Sequence, residues 1–136
     1  AGQKSAQHCM TMDWSYTLLK IGGGEPDPSY ATDGVDLSPV LKGEVESFER
    51  ALFWRMNHRD QRAYRMGEWK YLKVDEHEYL FNVVNDARER ANQAKNQPEK
   101  LEQMRQVWLD WNESIPPIPE DASISLGYGR ADMPQR

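Results

Sequence analysis

Cysteine is all but missing: Cys9 stands alone in 136 residues. An internal disulfide framework and a cysteine-built zinc module are therefore excluded. No apolar run approaches the ~18 residues that a membrane-spanning helix needs. Histidine is scarce, and His8, His58 and His77 are too far apart for metal-ligand spacing. Cys9 follows His8, but adjacent residues rarely face each other, so the pair reads as an ordinary thiol and no activated nucleophile. Gly22-Gly23-Gly24 precede neither a helix nor a lysine and form no phosphate cradle. Asp33-Gly34-Val35-Asp36 lacks the third carboxylate and closing glutamate of a calcium loop.

Large apolar side chains are plentiful: five Trp, six Tyr, three Phe and six Met. A chain of this length buries about two thirds of its unfolded surface, enough for one core without staples. The mean hydropathy of −0.88 points to polar loops or tails around that core. The net charge of −5 is unevenly spread. In 50–73 seven bases (Arg50, Arg55, Arg59, Arg62, Arg65, Lys70, Lys73) outnumber Asp60 and Glu68, between acidic flanks. Such a block either attracts an anionic ligand or pairs with those flanks and solvent. The acidic total speaks against nucleic acid as a partner.

The periodicities predict an α+β fold. Thr11 is placed to cap a helix to Ile21, with Asp13 in its first turn and Trp14, Leu18 and Ile21 on one face. Gly22-Gly23-Gly24 end it. This short apolar helix is suited to packing on something larger than the loops behind it. Ser38-Pro39 opens a single turn that Gly43 stops. Four strand-length segments between Arg50 and Val83, joined by short turns, predict an antiparallel meander with one covered face. Residues 86–92 read as a further helical turn or two. Pro98 opens the best helix, to about Asn112, with Leu101, Met104, Trp108 and Trp111 as its apolar stripe over the sheet. The predicted fold is thus a small four-stranded antiparallel sheet covered by a C-terminal helix, with an extended tail over 114–136. The start, Ala1-Gly2-Gln3-Lys4, has no Met and no apolar leader, as expected of a chain cut from a longer one.

One cluster has binding chemistry: Arg55, His58 and Arg59, placed between the first two strands. Loops on rigid scaffolds carry binding groups, and arginine suits planar oxyanions. The plainer alternative is a solvated hairpin tip. Asn112-Glu113-Ser114 fits a glycosylation acceptor, a pattern common by chance.

The order of the segments carries a resemblance. Thr11-Met12-Asp13-Trp14 with Thr17-Leu18-Leu19 comes first, then Asp33-Gly34-Val35-Asp36-Leu37-Ser38-Pro39-Val40-Leu41-Lys42-Gly43. Leu52-Phe53-Trp54, Ala63-Tyr64-Arg65-Met66-Gly67-Glu68-Trp69-Lys70 and Tyr79-Leu80-Phe81-Asn82 come next, with Asn92-Gln93-Ala94 and Pro98 behind them. This series resembles the C-terminal part of the arylsulfatase-type sulfatases over roughly residues 5–113. The resemblance implies a parent that hydrolyses sulfate esters, with a formylglycine nucleophile and a calcium ion in an N-terminal catalytic domain. The motifs for those groups are not in this sequence, and no catalytic or metal-binding residue is carried over. On this reading, 1–49 are helix and loops from the end of the catalytic domain, 50–113 the C-terminal subdomain and 114–136 a tail. The implied partners are the missing catalytic domain and an anionic sulfate ester, which Arg55, His58 and Arg59 would meet at the substrate rim. A bacterial parent would be periplasmic or secreted. The fragment alone is expected to be inactive and free to self-associate through its apolar helix. The alternative is a free-standing binding or interaction module with no enzymatic activity.

Overall fold

The computed structural model describes residues 2–30 and 32–122. The tail expected over 114–136 lies outside the described residues from 123 on. The elements are α1 (Thr11–Ile21), α2 (Ser38–Lys42), β1 (Leu52–Met56), a 3-10 turn at His58–Asp60, β2 (Gln61–Met66), β3 (Trp69–Val74), β4 (His77–Asn82) and α3 (Pro98–Glu113). They fall into two compact units, one up to Arg50 and one from Ala51 on.

In the second unit the four strands form the expected antiparallel meander, in the order β1-β2-β3-β4. Two-residue turns set the register, so that Met66 faces Trp69 and Val74 faces His77. Gly67, at φ 56°, supplies the left-handed residue that the β2–β3 turn requires. One sheet face carries Phe53, Tyr64, Tyr71 and Leu80 in a row across all four strands. The predicted α3 packs on this row with Met104 and Trp108 buried, and Leu101 and Trp111 partly so. The Phe53 ring stacks between Tyr64 and Trp111, each 4.8 Å away between centroids.

The polar ends of this layer are paired. Tyr71 is fully buried, and its hydroxyl donates to Glu78 Oε1 at 2.8 Å. Burial first, and then the Glu78 carboxylate, push the phenol far up, so it stays protonated. Arg105 of α3 donates to both oxygens of Glu78, at 2.9 and 2.7 Å, tying helix to sheet through a forked pair.

The sequence suggested one covered face, but the sheet is apolar on both. Leu52, Ala63, Val74, Tyr79 and Phe81, which alternate with the α3-facing row, are also buried. The helix expected at 86–92 is a series of turns instead. The Asp86 carboxylate accepts the N–H groups of Arg90 and Ala91, each at 2.7 Å, and Glu89 takes φ 54°. An aspartate that holds the N–H groups four and five residues on offers the backbone an alternative to the helical ladder.

In the first unit α1 has its expected bounds, but Met10 and not Thr11 is the capping position. The Met10 N–H is taken by Asp13 Oδ2 at 2.7 Å. Likewise Leu37, not Ser38, caps α2, and the Ser38 N–H donates to Asp36 Oδ1 at 2.8 Å.

Candidate functional site

Two features carry polar chemistry, one in each unit. The first is inverted relative to an ordinary amphipathic helix. In α1 the fully buried residues are Asp13 and Thr17, whereas Leu18 is 63% and Ile21 60% exposed. Trp14, Leu19 and Met12 are exposed as well. Asp13 Oδ1 accepts from Val35 N at 3.0 Å and from Arg50 Nη2 at 2.8 Å. The same Arg50 nitrogen donates to the Asp33 carbonyl at 2.8 Å. Thr17 Oγ1 accepts the Leu37 N–H at 2.9 Å and donates to the Asp13 carbonyl at 2.6 Å.

The loop 33–37 is thereby clamped to α1 at Asp33, Val35 and Leu37. Gly34 sits where a Cβ would lie 2.5 Å from the Met12 carbonyl oxygen, so only glycine fits. Burial alone would push the Asp13 carboxyl up. The Arg50 guanidinium and the N–H groups of Met10 and Val35 outweigh it and hold the group below the usual carboxylate range. Sequence reasoning placed Asp13 merely in a first turn. Its spacing to Thr17, i to i+4 on one face, was the available signal.

The second feature is the basic block. Arg55 lies within β1, not between the strands as expected, and donates to Asn112 Oδ1 at 3.0 Å and the Pro116 carbonyl at 2.8 Å. Arg59 donates to Asp75 Oδ2 through Nε and Nη2, at 3.0 and 2.5 Å. His58 lies in the same 3-10 turn as Arg59. Arg55 is thus held against the end of α3, and Arg59 against the β3–β4 turn. Arg59 and Asp60 are left-handed, at φ 57° and 46°, which is costly without glycine. Asp60 offsets this by receiving Arg62 and Lys73. Most of the block therefore pairs with carboxylates: Arg50 with Asp13, Arg59 with Asp75, Lys70 with Glu89.

A trough of about 340 Å³ opens along this sheet, lined by Trp54, Arg55, Met56, Gln61, Arg62, Ala63, Lys70 and Leu72. Its floor comes from the register: Ala63 stands opposite Trp54 on one side and Leu72 on the other, a short side chain between two long ones. No group of three His, Cys, Asp or Glu suited to a metal exists among the described residues. No helix among them is long and apolar enough to cross a membrane.

No protein-family model matches the chain, and neither does any curated protein. Solved structures do match. BT33336S-sulf, described with the metabolism of multiple glycosaminoglycans by Bacteroides thetaiotaomicron, superposes with a TM-score of 0.63 at 19% identity, over 76% of this chain and 24% of that one. The chain carries the fold of one part of a sulfatase. BT1596, a 2-O GAG sulfatase, matches with a TM-score of 0.57 at 23% identity, over 72% of this chain and 23% of its own. Ps i-CgsB, solved in complex with k-i-k-neocarrahexaose, gives 0.61 at 24% identity, over 73% and 23%. The chain therefore spans about a quarter of these sulfatase-fold neighbours.

Proposed function

We propose that this chain is the C-terminal part of a hydrolase that removes sulfate from a sulfated polysaccharide, and that its role there is structural. The nucleophile, formylglycine, and the calcium ion belong on this reading to a catalytic part outside the sequence. The observation that carries it is α1, which buries Asp13 and Thr17 and turns Trp14, Leu18 and Ile21 outward. A helix apolar on the side away from its own unit is fitted to be covered by further protein. The glycosaminoglycans named with two of the fold neighbours and the neocarrahexaose bound to a third support a sulfated polysaccharide as substrate.

The 136-residue chain alone is expected to release no sulfate from a chromogenic aryl sulfate or a sulfated oligosaccharide. Joined to its upstream reading frame, it is expected to release sulfate from the oligosaccharide, read by ion chromatography. Turnover by the chain alone would overturn the division of labour, and inactivity of the joined protein would overturn the assignment.

Within the same reading, Arg55, His58 and Arg59 stand at the substrate rim. A rim charge gives uniform binding, so its loss raises KM and leaves kcat nearly unchanged. Arg55→Ala, His58→Ala and Arg59→Ala in the joined protein should each cost about 1 kcal/mol or less, roughly up to fivefold in KM. An unchanged KM in all three assigns the block to scaffold alone.

A further inference from the structure

We propose that residues 124–128 add to the rim of β1 as a fifth strand and cover the trough with Ile124 and Leu126. This docking does not depend on the activity proposed above. β1 is an edge strand of the sheet. In an antiparallel pair, residues whose backbone groups face the neighbouring strand alternate with residues whose groups face away. Trp54 faces inward to Ala63, so Phe53 and Arg55 turn their N–H and C=O groups outward. Among the described residues none bonds to these four groups. Such a rim is a template for one further extended segment.

The two faces of the sheet at this edge set what the segment must look like. On the α3 side Phe53 is stacked against Trp111, and Arg55 reaches Asn112 and the Pro116 carbonyl, so only small side chains fit beside them. On the other side Leu52, Ala63, Val74, Tyr79 and Phe81 are buried, but Trp54 is 40% and Met56 36% exposed. A strand added here therefore needs small residues toward α3 and large apolar ones toward the trough. The sequence after Ala122 alternates in that way: Ile124, Leu126 and Tyr128 are spaced by Ser125 and Gly127, with no charge among them.

The described chain brings this segment to the rim. Asn57, the residue after β1, donates from Nδ2 to the Ala122 carbonyl at 2.5 Å. A chain that leaves this point along the rim runs antiparallel to β1, and 124–128 match the five residues of Leu52–Met56. Pro116, Pro117 and Pro119 cannot donate to a ladder, whereas 120–133 contain no proline. Ile124 then lies beside Met56, Leu126 beside Trp54 and Tyr128 beside Leu52. Ser125 and Gly127 exchange backbone bonds with Arg55 and Phe53. A segment tethered at the end of the strand meets the rim at high effective concentration, which a second copy or a separate partner does not.

The test is amide hydrogen exchange by NMR on the 136-residue chain. The Phe53 and Arg55 amides should be protected, and the Leu126 methyl groups should show nuclear Overhauser contacts to the Trp54 ring. Leu126→Asp should speed exchange at Phe53 and Arg55 by about tenfold or more and leave the Tyr64 and Tyr71 amides unchanged. Met133→Asp, an equal change further along the same tail, should leave all four as they are. The proposal is overturned if Phe53 and Arg55 exchange as open amides do, or if Leu126→Asp leaves their protection intact. Protection that rises with protein concentration would assign the rim to a second copy. Protection found only in the joined protein would assign it to the catalytic part. Either of these results also overturns the proposal.

Discussion

Arg50→Ala is expected to destabilise the first unit by about 3–5 kcal/mol, because it strands a carboxylate with no exposed surface. Asp13 keeps its two backbone donors, from Met10 and Val35, but loses its counter-charge and the clamp on the Asp33 carbonyl. Denaturant unfolding followed by circular dichroism measures the loss. The pH dependence has a definite sign. Asp13 has a depressed folded-state pKa, so its contribution is present above the unfolded carboxylate range and is lost as pH falls through the folded value. In Arg50→Ala that acid-side loss should move to higher pH. The double variant Asp13→Asn/Arg50→Met removes both charges and should recover part of the stability. A loss below ~0.5 kcal/mol in the single variant would show that the pair contributes little.

Trp108→Ala is the second large effect, about 3–5 kcal/mol from the second unit. The ring is 2% exposed, lies edge-on to Trp111 at 5.9 Å between centroids and carries the Arg62 guanidinium 4.9 Å from its own centroid. Truncation opens a cavity between α3 and the sheet and also leaves the Trp54 carbonyl without its indole donor. A domain holds only ~5–15 kcal/mol in all, so the urea midpoint should fall steeply. A change within ~0.5 kcal/mol would falsify the placement of Trp108 at the centre of the core.

The sheet and α3 were legible in the sequence because each rests on a local signal. Gly67-Glu68 and Asp75-Glu76 mark the turns, and Met104 and Trp108 repeat at helical spacing. The failure at 86–92 has a local cause too. Helix-favouring residues such as Ala87, Arg88 and Glu89 could not show that the Asp86 side chain would take the backbone donors. The Asp13–Arg50 pair was hidden for a different reason. Its partners are 37 residues apart, and a buried aspartate looks in sequence like any first-turn acid. Arg55 belongs to the first strand-length segment, which holds as β1, and it leaves the cluster with His58 and Arg59 because alternation along that strand carries it to the end of α3. The trough was invisible because Ala63 is unremarkable until the register sets it between Trp54 and Leu72.

One rim of the sheet is engaged by the chain itself. At β4, Leu80 gives its N–H to the Asn92 side chain and its carbonyl accepts from the backbone of Gln93. At β1, by contrast, the Trp54 carbonyl that the Trp108 indole reaches points inward, to Ala63 of β2, and is no part of the rim. An open strand rim is a template on which other chains can add, the first step toward fibrils. Here the chain occupies the β4 template at its midpoint, and endless growth needs two open rims on every copy. Copies concentrated during synthesis or purification are therefore steered away from endless edge-to-edge growth. The outward ridge of α1 adds a different kind of contact, one between side chains that carries no repeating backbone pattern to propagate.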